Sequence, residues 1–350
     1  MKSNLSRRGF LKAGTIGALG LAGAAALQQQ ARALAQGATP TPTPTPDHYG
    51  AGHEGMDHSA HGGNMTTGDV DTTAPGAFDP MKYLTEFDYG TASTLPNGQT
   101  LREWFIAASD KEIEVAPGVF FAAWTYNGQV PGPTFRCSEG DRLRFNFVNG
   151  SAHPHTIHFH GIHPPGMDGF TPVVQPGETF TYEFDARPFG LHLYHCHTPP
   201  LKRHIHKGLY GTFIIDPPGG RPPAKEFVMM MNAFDTNFDG ENEVYAVNTV
   251  AFHYAKHPIP VKVGELVRIY LVNITEFDPI NSFHLHAGMY RLYHTGTRLD
   301  HYDYTDLVMM AQGERRVLEF TLEYPGRHMF HAHQSELAEL GWMGFFDAQE

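Results

Sequence analysis

From about Thr100 to the C-terminus, apolar and polar residues alternate in short runs, and clusters of Gly, Pro and Asn separate the runs. Leu143, Phe145 and Phe147 alternate with Arg142, Arg144 and Asn146, and Phe180, Tyr182 and Phe184 alternate with Thr181 and Glu183. A period of two puts one set of side chains on a core face and the other in solvent, which is the pattern of half-buried strands. No long helical period interrupts it. Short strands with regular turn signals predict an all-β chain built as sandwiches. Asn127-Gly128-Gln129-Val130-Pro131-Gly132-Pro133-Thr134 is a turn-rich lead-in to the first unit, and the proline-rich residues 216–223 read as a linker.

The second half repeats the first, the sign of a duplicated unit. Glu139-Gly140-Asp141 leading to Phe147-Val148-Asn149 corresponds to Val263-Gly264-Glu265 leading to Leu271-Val272-Asn273. Ile157-His158-Phe159-His160 matches Phe283-His284-Leu285-His286, and Gly177-Glu178 matches Gly313-Glu314. Without a gap, Gly190-Leu191-His192-Leu193-Tyr194-His195-Cys196-His197 falls on Gly326-Arg327-His328-Met329-Phe330-His331-Ala332-His333. Two tandem copies of one β-domain are expected, near residues 85–218 and 225–350.

The copies share four His-x-His pairs: His158/His160, His195/His197, His284/His286 and His331/His333. Eight imidazoles in this arrangement can hold three copper ions at a seam between domains. In the first copy alone, Cys196 stands between His195 and His197, His155 lies three residues before His158, and His204 lies five before Leu209. A thiolate with two imidazoles is the donor set of a blue copper site. In the second copy Cys196 becomes Ala332, His155 becomes Asn281, and Gly341-Trp342-Met343-Gly344 replaces Gly208-Leu209-Tyr210-Gly211 with no counterpart of His204. The first copy is therefore predicted to keep a mononuclear site that the second has lost. On an extended strand His195 and His197 face one way and Cys196 the other, so one strand can serve two metal centres. A lone buried cysteine is ordinary, but chance does not supply four histidine pairs at repeat-related positions.

Composition narrows the partners. The net charge of -12, with no basic block beyond the N-terminus, argues against nucleic acid or an anionic membrane surface and favours a small or cationic substrate. With only two cysteines, ligation by Cys196 leaves Cys137 as a buried free thiol and predicts no intrachain disulfide. Ser6-Arg7-Arg8-Gly9-Phe10-Leu11-Lys12, an apolar run over residues 13–27 and Ala33-Leu34-Ala35 read as a twin-arginine export signal over residues 1–35. The apolar run is short for a membrane span, so the expectation is a periplasmic or extracellular protein without stable membrane insertion. Residues 36–80 read as a disordered linker. A stiff Thr-Pro repeat over residues 39–46 is followed by His48, His53, His58 and His61 with Met56 and Met65 among glycines. That segment reads equally as a copper-gathering tail or as a linker that binds nothing. Met229-Met230-Met231 reads as a buried strand rather than a carrier patch.

At these motifs the chain resembles the multicopper oxidases, and among them the small two-domain laccase-like oxidases, over nearly all of residues 100–350. His153-Pro154-His155-Thr156-Ile157-His158-Phe159-His160-Gly161 and His195-Cys196-His197 carry the likeness, with the turn over residues 127–134. The resemblance implies that each domain is a cupredoxin, a Greek-key β-sandwich. It implies about four copper ions per subunit: type 1 on His155, Cys196 and His204, type 2 on His158 and His284, and a type 3 pair on His160, His195, His197, His286, His331 and His333. The implied activity is one-electron oxidation of a phenolic or metal-ion donor coupled to reduction of dioxygen to water, with electrons passing from Cys196 along the backbone to its histidine neighbours. Protons need carboxylates nearby, and Glu336 and Asp168 are the candidates. In a two-domain chain the second domain's pairs must meet the first domain of a neighbouring subunit, and closing that contact into a ring predicts a homotrimer.

Three features depart from the family pattern. His204 follows Cys196 across the longer stretch of residues 198–203, which leaves His206 as a competing ligand. Leu209 replaces the axial Met and cannot coordinate, so a trigonal site of raised potential is expected. Both the long loop and the confinement of the blue site to the first domain resemble the copper nitrite reductases, which are the alternative reading. In those reductases an Asp aligns with His158 and a non-ligand with His197, so the extra imidazoles favour the oxidase. A copper storage or carrier protein is the third reading, and it has no need of Cys196 between its two histidines.

Overall fold

A computed structural model describes residues 67–350; the export signal, the Thr-Pro repeat and the His/Met-rich residues 47–65 lie outside it. Among the described residues, strands carry the fold. The first half holds β1 (Thr91–Thr94), β2 (Thr100–Ala116), β3 (Val119–Tyr126), β4 (Gly132–Ser138), β5 (Arg142–Asn149), β6 (His158–Phe159), β7 (Thr179–Asp185), β8 (Gly190–His195) and β9 (Tyr210–Asp216). The second holds β10 (Lys225–Phe234), β11 (Val244–Val247), β12 (Ile259–Lys262), β13 (Val267–Asn273), β14 (Ile280–Leu285), β15 (Tyr290–His294), β16 (Asp303–Thr305), β17 (Leu307–Ala311), β18 (Arg315–Phe320), β19 (Gly326–His331) and β20 (Met343–Gln349).

Each half is a pair of sheets. In the first, β1-β2-β5-β7 with β3 on β2 faces β4-β9-β8-β6; in the second, β11-β10-β13-β18-β15-β16 faces β12-β20-β19-β14-β17. The duplication seen in the sequence is present in the pairing. The parallel β2–β5 and antiparallel β5–β7 pairs recur as β10–β13 and β13–β18. The run β4-β9-β8-β6 recurs as β12-β20-β19-β14. The match reaches single residues, because His158 lies opposite His195 and His284 opposite His331.

Three apolar clusters hold this together. Trp104, Phe135, Phe145, Phe159, Tyr194 and Phe213 fill the first sandwich. Met229, Met231, Leu271, Phe283, Phe330 and Trp342 fill the second. The third lies at the seam between halves, where Val115, Phe121, Leu193 and Ile214 meet Val228, Met230, Phe234 and Tyr270. Side chains alternate along β10, so Met229 and Met231 enter one cluster and Met230 the other. All three are fully buried, as a core strand requires. Burying a side chain of this size contributes about 1.5–3 kcal/mol. The two halves thus share a core as well as a linker.

Two stretches differ from the sequence reading. Residues 67–80, expected to be linker, are largely exposed but anchored at points: Val70 is buried and the Phe78 ring lies 5.4 Å from that of Tyr83. The Asp79 carboxylate accepts the Met81 and Lys82 N–H groups and caps helix α1 (Pro80–Tyr83). Apolar anchors and a cap are not linker composition. The second difference is helix α2 (Leu201–His206), in the stretch read as a loop. Helices α3 (His253–Lys256) and α4 (Ser335–Glu339) are also short. No helix among the described residues is long and apolar enough to cross a membrane.

Candidate metal centres

Strand β8 ends at His195, and the next residue turns its sulfur into the first sandwich beside His155, which enters from the segment before β6. His204 arrives from α2. Cys196 Sγ lies 3.2 Å from His204 Nδ1 and 3.9 Å from His155 Nδ1, and the two Nδ1 atoms are 3.1 Å apart. All three residues are buried. The Ser151 hydroxyl sits 3.0 Å from His155 Nε2, the Thr156 N–H donates to Cys196 Sγ over 3.4 Å, and the Trp124 indole packs against both imidazoles. The Cys196 N–H donates to the Leu209 carbonyl, and both side chains are buried in the same apolar cluster.

His206 stands apart from this group. Its Nε2 accepts the Asp235 N–H at 3.2 Å, and its ring meets Phe277 edge-on at 4.9 Å. Both are buried, but residues two apart on a helix do not face each other, so only one of the pair can turn toward Cys196. His204 is that residue.

In the second copy, Asn281, Ala332 and Trp342 are all fully buried at the equivalent places. The Ala332 N–H donates to the Trp342 carbonyl as the Cys196 N–H does to Leu209, and the indole packs on Phe283 and Phe330. An indole stands where the first copy has Leu209, and the thiolate and both imidazoles are gone.

The eight paired histidines form two matching groups. In the first, donor atoms of His158, His160 and His195 converge, with His160 Nε2 3.2 Å from His195 Nε2 and the His197 ring 5.4 Å from that of His158. In the second, His284, His286 and His331 converge, with His286 Nε2 2.9 Å from His331 Nε2 and the His333 ring 5.4 Å from that of His284. Backbone carbonyls orient the rings in parallel fashion. Nδ1 of His158 lies 2.7 Å from the Asp168 carbonyl and Nδ1 of His284 2.9 Å from that of Asp306. His195 Nδ1 and His331 Nδ1 meet the carbonyls of Cys196 and Ala332. A ring N–H spent on a carbonyl leaves the Nε2 lone pair for a metal. Thr156 and Ser282 hydroxyls accept the backbone N–H groups of His197 and His333 in turn. Among the described residues, no hydrogen bond or ring contact joins one group to the other, and His286 and His333 face solvent.

The electrostatics suit ligation. Burial pushes His155 down to about 3 and His195 and His204 to about 4, so these imidazoles stay neutral. Burial pushes the Cys196 thiol up, and hydrogen bonds from Thr198 and Thr156 offset part of that rise. A cation binding there must displace the thiol proton. Among the described residues, His197 Nδ1 is buried without a hydrogen-bond partner, as a nitrogen reserved for a metal would be. A thiolate with two imidazoles, beside groups of imidazole alone, fits copper.

The two carboxylate candidates separate. Asp168 belongs to the site, with Oδ1 3.3 Å from His158 Nδ1. Glu336 is exposed on α4, where its charge bears on the Tyr245 hydroxyl. Two further residues were not singled out in the sequence. Asp306 is the partner of His284 that matches Asp168, hidden because its distance along the chain from the histidine differs. Arg315, on β18, donates to the Leu191 carbonyl at 3.0 Å and lies 3.4 Å from His160 Nδ1, so the second half steadies a histidine of the first. No local pattern marks that role.

Known proteins bear on this arrangement. Residues 107–220 and 221–350 each match a multicopper oxidase family model. A solved structure described as a multicopper oxidase superposes with a TM-score of 0.78 at 54% identity, over 80% of this chain and 100% of that one. The copper nitrite reductase of Nitrosomonas europaea superposes with a TM-score of 0.66 at 27% identity, over 71% of this chain and 94% of that one. The copper-containing nitrite reductase of Neisseria meningitidis is 29% identical over 245 residues, which is 64% of this chain; the match spans 63% of that protein. The L-ascorbate oxidase of Cucumis sativus is 42% identical over 106 residues, 27% of this chain and 17% of that one. With two cupredoxin-like sandwiches and both halves matched, the chain belongs to the multicopper oxidase family.

Proposed function

We propose that this copper oxidoreductase is a laccase-like oxidase that takes electrons singly from a phenolic or metal-ion donor and delivers four to dioxygen, forming water. The observation that carries the reading is the pair of matching histidine groups, each with Nε2 atoms turned toward a common point and, among the described residues, with no hydrogen bond or ring contact between them. The proposed ligand sets are His155, Cys196 and His204 for a type 1 ion, His158 and His284 for a type 2 ion, and His160, His195, His197, His286, His331 and His333 for a type 3 pair. Bound copper would supply one-electron storage and the binding and reduction of dioxygen. The chain's own residues hold the rings, exclude water and set protonation. Ser151 and Trp124 fix His155 and His204, Leu209 shares the apolar cluster of Cys196, and the carbonyls of Asp168 and Asp306 aim His158 and His284. The Asp168 carboxylate is the proposed proton carrier at that site, with Glu336 a second candidate.

The exposed second group needs the first group of another subunit, so the assembly proposed is a homotrimer with a cluster at each of its three seams. Export by the twin-arginine route to the periplasm or beyond is part of the same proposal. Nitrite reduction is the second reading, favoured by the likeness to the Nitrosomonas and Neisseria reductases. Against it, both His158 and His197 present imidazoles to the first group.

Metal counting with oxygen uptake separates the readings. The copper-loaded oxidase is expected to hold about four copper ions per chain, to be intensely blue, and to consume dioxygen with a phenolic donor. About two ions per chain with no oxygen uptake would favour the reductase. A copper-loaded, active monomer by light scattering would overturn the shared cluster.

A further inference from the structure

On α3, His253 and His257 are four residues apart, so both rings leave the same face of the turn, their centroids 4.7 Å apart. Asp69, from the anchored N-terminal segment, reaches across 188 residues of sequence and brings Oδ2 within 2.6 Å of His257 Nε2. Donor atoms of all three residues lie within 4.8 Å of one another. None belongs to the centres described above.

His257 and Asp69 are half-exposed, and by themselves would be a surface ion pair. His253 changes that reading. It is 3% exposed, yet neither ring nitrogen has a hydrogen-bond partner among the described residues. Leaving a buried imidazole unpaired is costly, so among the described residues a partner for one nitrogen is missing. Burial also holds this ring down at about 4, which keeps a lone pair free at neutral pH. The neighbouring Lys256 ammonium is directed to the Gly68 carbonyl.

We propose that Asp69, His253 and His257 form a further metal site for a borderline divalent ion, Zn(II) or Cu(II), which fastens residues 67–73 to the second sandwich. Two imidazoles and one carboxylate, with coordination positions left for water, suit these ions and not Ca(II) or Mg(II), which need oxygen ligands. The position has a sequence context. The His/Met-rich residues 47–65 end just before Asp69, so a segment rich in side chains that can donate to metals is followed by a candidate site on the folded body. The proposal stands apart from the oxidase reading, since it uses none of the same residues.

The test starts from full-length protein already loaded with copper, then dialysed against Zn(II) alone or further Cu(II) alone, with metals counted by mass spectrometry. Wild type is expected to bind one more ion per chain than either Asp69→Asn or His257→Ala, and the tighter of the two ions names the class member. Both variants alter half-exposed side chains and should keep the blue colour and the fold. Amide hydrogen exchange in residues 67–73 should slow when the ion is added to wild type and stay unchanged in both variants. An equal ion count in either variant overturns the three-ligand site, as does unslowed exchange in wild type. Loss of the blue ion along with the extra one would show that the site is not separate, and overturns it too.

Discussion

A buried imidazole serves as a ligand only while neutral, and the environment enforces that state at a cost in acid. His155 is pushed down to about 3, and His204, His206 and His253 to about 4, from an ordinary value of 6.5. Below about 6.5 the unfolded chain takes up protons on these groups while the native one does not, so the unfolded state binds more protons and stability rises with pH. Their contribution is complete above 6.5 and is lost as pH falls toward 4. The urea midpoint of the metal-free protein is therefore expected to stay level above about pH 6.5 and to drop from there to pH 5; a midpoint that held or rose across that lower range would contradict this. At this scale the donor atoms were legible, because a thiol and imidazoles announce their chemistry wherever they stand. The choice between His204 and His206 was not, since it depends on which face of α2 meets the core. Nor were Ser151 and Arg315, whose roles lie wholly in what they touch.

Strands β8 and β19 end in His195 and His331, one histidine of each group, and in each strand an aromatic ring lies over a glycine of the next strand. Tyr194 sits opposite Gly211 in the pairing of β8 with β9, and Phe330 opposite Gly344 in that of β19 with β20. A Cβ on Gly211 would come within 2.7 Å of three Tyr194 atoms, and the Tyr194 hydroxyl is tied to the Pro133 carbonyl at 2.7 Å. Overpacking of this kind costs about 1–3 kcal/mol, so Gly211→Ala should lower the melting temperature and disturb the adjoining His195. Gly166→Ala, where an added Cβ meets nothing, should leave both unchanged. Equal melting temperatures for the two variants would contradict this close packing. The strands were readable from their period of two. Helix α2 was not, because six residues are too few to show a helical period, and of them only Leu201 and Ile205 are apolar.

Across the whole molecule, a charged network crosses between the halves beside the apolar seam. Arg136 of the first half bonds Asp216 and Glu226, and Arg268 of the second bonds Glu226 and Glu319. Removing Arg136 leaves its two carboxylates half-buried and short of a partner, which costs about 3–5 kcal/mol when the pair is desolvated. Arg136→Ala is expected to lower thermal stability strongly and Arg136→Lys to restore part of it, read by calorimetry. A loss no larger than that of an exposed pair such as Arg298–Asp300 would show that the network does not bind the halves.

By itself the sequence determined that the chain is two related β units, that the first alone carries a thiolate site, and which residues bear donor atoms. Strand period and donor chemistry are local properties, and a repeat reports itself by comparison. Tertiary structure alone decided that Arg315 of the second half reaches His160 of the first and that the two halves share a core. It also decided that the two histidine groups open separately and that Asp69 meets His253 and His257. Those outcomes depend on which distant surfaces pack together, and no short stretch of sequence contains that information.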